Sequence, residues 1–107
     1  MKNSDSRLLS RIKAIIAEQD PAAKIYLYGS RSRSTAERNS DWDLLILLKK
    51  NSISLEDEQK ITSPLYDLEF DTGEMISPMI YSEKEWNTKY RMTPFYKNVM
   101  EEAKLLR

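Results

Sequence analysis

The chain has 107 residues, and its 17 lysines and arginines balance 17 aspartates and glutamates, so it lacks the basic excess with which proteins normally hold nucleic acid. It contains neither cysteine nor histidine, which excludes disulfides, thiolate or imidazole metal sites and histidine-based triads. Any metal it binds must be hard and held by oxygen, with Mg²⁺ the first candidate.

Leu8, Leu9, Ile12, Ile15 and Ile16 recur at helical spacing, so residues 5–19 read as an amphipathic helix. Ser4 or Asp5 is the expected cap, and Asp20-Pro21 the stop. Lys24 to Tyr28 is a short strand ended by Gly29, with Tyr26 and Tyr28 on one face and Ile25 and Leu27 on the other. Tyr28 is expected to pack rather than to act. Asp43 to Leu48 is a second strand, apolar on both faces and therefore central in a covered sheet. Trp42 is expected to anchor its opposite face in the core.

Residues 55–71 read as a helix through Leu55, Ile61, Leu65 and Leu68, capped at Ser54 or a neighbour and ended at Gly73. Pro64 is expected to kink or split it. Met75 to Tyr81 is a third strand, placed at an edge or bulged because Pro78 cannot donate to a ladder. Ser82 and Glu85 form a capping-box pattern for a helix to about Tyr90, and a last helix begins near Pro94 and runs through Val99 and Ala103. Trp86, Tyr90, Phe95 and Tyr96 are expected to pack over the sheet; the alternative for this lysine-rich stretch is contact with nucleobases.

Counting a helix after Gly29, the order is α-β-α-β-α-β-α-α. This is an α/β (α+β) fold, a small mixed sheet flanked by helices, in one domain over residues 1–107. No apolar run reaches the length of a membrane span, and the charged N-terminus is unlike a secretory signal, so a cytoplasmic protein is expected.

The stretch "YLYGSRSRSTAERNSDWDLLIL" carries the chemistry. Side chains two apart in a strand share a face, so Asp41 and Asp43 stand together with backbones about 7 Å apart. Like charges so placed repel unless a cation neutralises them, and neighbouring carboxylates are the usual protein ligands of Mg²⁺. Gly29-Ser30 supplies a turn at a strand end where backbone N–H groups can meet a phosphate, with the Ser30 hydroxyl as a further donor. Arg31 and Arg33 are near enough in sequence to neutralise a triphosphate. A phosphate cradle followed by a metal clamp is what phosphoryl or nucleotidyl transfer requires.

Gly-Ser, about ten residues, Asp-x-Asp and a hydrophobic strand together resemble the signature of the polymerase-β-type nucleotidyltransferase superfamily. The string "GSRSRSTAERNSDWDLL" is most similar to the minimal nucleotidyltransferases, or MNT proteins. The resemblance implies a mixed sheet, Mg²⁺, an NTP donor (usually ATP) and transfer of a nucleoside monophosphate to a hydroxyl. It implies that Gly29 and Ser30 bind the triphosphate and that Asp41 and Asp43 bind metal. It also implies a possible HEPN-domain partner, because many MNT proteins are antitoxins and some adenylylate a tyrosine of that partner. A monomer and an oligomer both fit.

Fully catalytic members carry a third carboxylate on a later strand as general base. Here that strand is "EMISPMIYS", whose nearest acid is Glu74, the expected third catalytic residue beside Asp41 and Asp43. The alternatives are an MNT-fold interaction module that neutralises its partner by binding, and a nucleotide-sensing regulatory domain.

Overall fold

Seven consecutive residues, WDLLILL, form the strand around which the rest is arranged. The computed structural model describes residues 3–32 and 40–107. Its elements are α1 (Asn3–Gln19), β1 (Lys24–Tyr28), β2 (Trp42–Leu48), α2 (Leu55–Thr72), β3 (Ile76–Ser82), α3 (Glu83–Thr88), α4 (Pro94–Glu102) and β4 (Lys104–Leu105). The sheet order is β3-β2-β1-β4. β1 is antiparallel to β2 and to β4, whereas β2 and β3 are parallel, with α2 as their connection.

The alternation of β2 divides the molecule into two cores. Trp42, Leu44, Ile46 and Leu48 face α1 and α2, where they meet Leu8, Leu9, Ile12 and Ile16 together with Ile61, Leu65 and Leu68. Leu45 and Leu47 face α3 and α4, where Trp86 and Val99 close over them beside Tyr81, Tyr90 and Tyr96. A strand buried on both sides carries no polar alternation, which is why β2 reads as a continuous apolar run. Asp41 and Asp43 stand on the second face, at the mouth of the strand. Ile25 and Leu27 join the first core and Tyr26 and Tyr28 the second, as the alternation of β1 requires. The aromatic stretch packs as expected: Trp86 is fully buried and stacks edge-on against Phe95, with ring centroids 5.8 Å apart.

β3 lies at the edge, so Pro78 needs no donor on its outer side. Three expectations are corrected. α1 begins at Asn3, so Ser4 and Asp5 lie inside it and neither is its cap. α2 runs through Pro64 as one helix, so the proline does not split it in two. The proline removes one donor, but a capping box at Ser54, the left-handed Gly73 at the other end and the burial of Ile61, Leu65 and Leu68 hold the helix together. The last helix ends at Glu102, and Lys104–Leu105 add a two-residue strand beside Tyr26 and Leu27. The helix expected between the first two strands falls on 33–39, outside the described residues.

The cap of α2 has a pH signature. Asp57 accepts from the Ser54 backbone and bonds Lys50, and the Lys50 ammonium, then the Ser54 N–H, hold its carboxyl down at about 2. A depressed carboxyl stabilises the fold above its unfolded value of 3.8 and loses that contribution as pH falls through the window towards 2. Asp57→Asn keeps an acceptor for Ser54 and is expected to lose less stability than wild type between pH 4 and pH 2, read by urea unfolding at each pH.

Candidate active site

β1 ends in a tight turn. Ser32 donates to the Gly29 carbonyl from both its backbone nitrogen, at 3.1 Å, and its hydroxyl, at 2.8 Å, and its side chain is buried. Gly29 takes φ +75°, a conformation that L side chains rarely adopt. The turn also lies against the second strand: a Cβ on Gly29 would sit 2.4 Å from Asp43 Oδ2. The absent side chain is the space that the Asp43 carboxylate uses.

Asp43 is the cross-strand partner of Tyr28 on one side and of Ser77 on the other. Ser77 donates to Asp41 Oδ2 at 3.2 Å, so Asp41, Asp43 and Ser77 share one face at the end of the sheet. Asp41 is exposed and Asp43 half-buried. Tyr28 belongs to this group as well as to the core. Burial, then the Asp43 carboxylate, then Tyr81 push its phenol above the ordinary value.

The structure thus brings Gly29, Asp41 and Asp43 together and adds Ser77 and Tyr28. Ser30 follows Gly29 in the same turn, and Arg33 lies outside the described residues. Arg31 and Glu74 have other surroundings. The Arg31 guanidinium lies 4.0 Å over the Trp42 ring and donates to the Ser40 carbonyl at 2.9 and 3.3 Å. Glu74 Oε2 accepts from Trp42 Nε1 at 3.1 Å and stands 3.8 Å from Arg31. Trp42 points to the face opposite Asp41 and Asp43, so the Glu74 carboxylate is engaged away from the aspartates. Among the described residues, no group of three or more acidic side chains stands close enough to hold a metal ion.

The donor set is that of a hard cation held by two carboxylates, the remainder of its shell left for water and substrate oxygens, which fits Mg²⁺. Among the described residues, no third carboxylate joins the pair. Sequence reasoning missed Ser77 because its place beside Asp43 is a matter of parallel register. It missed Ser32 because a lone turn serine carries no signal of what it bonds. Among the described residues, no helix is long and apolar enough to cross a membrane.

No curated relative matches the chain. A family model described as polymerase beta, nucleotidyltransferase matches residues 10–105, which takes in the Gly29 turn, the two aspartates and the buried core residues other than Leu8 and Leu9. With four helices about a four-stranded mixed sheet among the described residues, and paired carboxylates at the head of the strand β2, the chain belongs to the polymerase-β-type nucleotidyltransferase family and has its fold.

Proposed function

We propose that this chain is a Mg²⁺-dependent nucleotidyltransferase of the minimal type, one domain working in the cytoplasm. It takes a nucleoside triphosphate, ATP first, and passes its nucleoside monophosphate to a hydroxyl, the tyrosine of a HEPN-type toxin partner, with pyrophosphate leaving from the α-phosphorus as the new P–O bond forms and the hydroxyl proton passing to solvent. The observation that carries this reading is the contact between the Gly29 turn and the Asp43 carboxylate, on the face that Asp41 shares. It puts a glycine backbone, which a phosphate can approach closely, against a pair of cation ligands. When bound, Mg²⁺ would neutralise charge on the triphosphate and make the phosphorus under attack more electrophilic. Asp41 and Asp43 hold that cation, Ser30 donates to a phosphate oxygen, and Arg33 adds positive charge beside it.

A second reading is favoured by Ser77. It occupies the register position beside Asp43, and no third acidic side chain joins the two aspartates among the described residues. In that reading the chain binds MgATP but transfers slowly or not at all, and acts as an antitoxin by holding its partner.

Incubation with labelled ATP, Mg²⁺ and the product of the neighbouring gene separates the two. Label on the partner, lost in Asp41→Asn and in Asp43→Asn, is the expected result. A tight complex that never takes label and ignores both substitutions would establish the binding module instead.

A further inference from the structure

We propose that Arg31, Trp42 and Glu74 form a clasp that positions Asp41, and that neither Arg31 nor Glu74 touches the nucleotide or the metal. This deepens the Mg²⁺–nucleotide reading of Asp41 and Asp43 and rests on it for what is being positioned.

Asp41 has to present its carboxylate at a fixed place, and holding it there costs conformational entropy, which bonds to the peptides on either side offset. Arg31 supplies those bonds. Its Nε and Nη2 both reach the carbonyl of Ser40, nine residues on, and that carbonyl belongs to the peptide unit joined to Asp41. The guanidinium is held rather than free to reach outward: it stacks at 4.0 Å on Trp42, and its side chain is only 12 % exposed. A planar cation over an indole face is attracted by the ring quadrupole, more strongly as water is excluded.

Trp42 fixes the other side of Asp41. Its backbone nitrogen donates to the Met75 carbonyl at 2.8 Å, and its indole nitrogen donates to Glu74 at 3.1 Å. Glu74 thereby satisfies a buried indole N–H and faces the Arg31 charge at once. The peptide on each side of Asp41 is tied down, one by Arg31 and one by strand pairing behind Trp42. Two residues of opposite charge that sequence spacing assigns to phosphate and to proton transfer spend their hydrogen bonds on this tie instead. Groups of this kind orient ligands that they never touch, and their loss typically weakens metal affinity 10- to 100-fold.

Mn²⁺ titration without nucleotide, together with backbone amide hydrogen exchange, tests the clasp on the full chain. Arg31→Ala is expected to weaken Mn²⁺ binding about 10-fold and to speed exchange of the Trp42 amide. An arginine that only bound phosphate would do the reverse: its removal would leave Mn²⁺ affinity unchanged or higher and weaken ATP alone. Glu74→Ala is expected to behave as Arg31→Ala does, while Glu74→Gln, which keeps an acceptor for the indole, restores both readouts close to wild type. A metal ligand would not be rescued by glutamine in this way. Unchanged protection of Ile25 and Leu27 amides in β1 shows that each variant has folded.

The clasp is overturned if Trp42 exchange is unaltered in Arg31→Ala and Glu74→Ala, or if Glu74→Gln loses Mn²⁺ as fully as Glu74→Ala. Wild type that binds no Mn²⁺ would defeat the metal reading of the aspartates, and the exchange measurement would still decide the clasp.

Discussion

Gly29→Ala is expected to weaken metal and nucleotide binding severely while leaving a folded protein. The new methyl would lie 2.4 Å from Asp43 Oδ2, so one of the two has to move. The backbone is held by the Ser32 bonds to the Gly29 carbonyl, whereas the carboxylate is the tip of a rotatable side chain. The carboxylate therefore gives way and leaves the face that it shares with Asp41. The stability loss is mainly that of an L residue at positive φ, about 1–2 kcal/mol. The functional loss is a cation ligand and the close approach of phosphate together, and Mn²⁺ affinity is expected to fall about 100-fold, as for disrupted ligand shells.

Gly73 provides the control. It has nearly the same φ, +74°, and nothing lies within 4 Å of where its Cβ would be. Gly73→Ala should lower the thermal midpoint about as much as Gly29→Ala and leave Mn²⁺ and ATP binding untouched. Equal destabilisation with equal affinity in both variants would mean that the Gly29 contact has no bearing on the site.

The contrast between the two glycines shows how much the sequence reveals. Gly73 is legible as the end of a helix because it follows the apolar period of α2, a local pattern. Gly29 is legible as a turn, but its contact with Asp43 depends on pairing Tyr28 opposite Asp43, a relation between strands with a loop between them. The helices and the first three strands follow from spacing and caps that act within a few residues. β4 does not, because two residues have no periodicity and pair with β1 only once the chain has turned back.

The same limit governs the site. That Asp41 and Asp43 share a face can be read from the sequence, because a strand places alternate residues on one face whatever surrounds it. Sequence assigns Arg31 and Glu74 to the site from charge and proximity along the chain, which carry no direction. Their direction is set by Trp42, whose indole needs an acceptor and whose ring offers a platform, on the face away from the aspartates. Glu74 was the nearest acid in sequence to the expected strand, yet the position that meets Asp43 across the sheet belongs to Ser77.

Ser77→Asp is therefore expected to raise transfer, by about 10²-fold, the low end of what a positioned general base contributes. The new carboxylate would stand on the neighbouring strand, about 4.8 Å from the Asp43 backbone, on the face where Ser77 now meets Asp41. Three acids so close repel one another, so the variant should melt below wild type in chelator. A cation bound only by the folded form reverses this, adding about 2.7 kcal/mol at a hundredfold excess over its dissociation constant. The midpoint of Ser77→Asp should thus climb with Mg²⁺ more steeply than that of wild type. Ser77→Ala removes the hydroxyl without adding charge, and should melt near wild type with transfer unchanged. If Ser77→Asp gains Mg²⁺-dependent stability but no transfer, an acid at position 77 is not what limits this site, and a serine beside Asp43 belongs to a protein that holds its nucleotide without spending it.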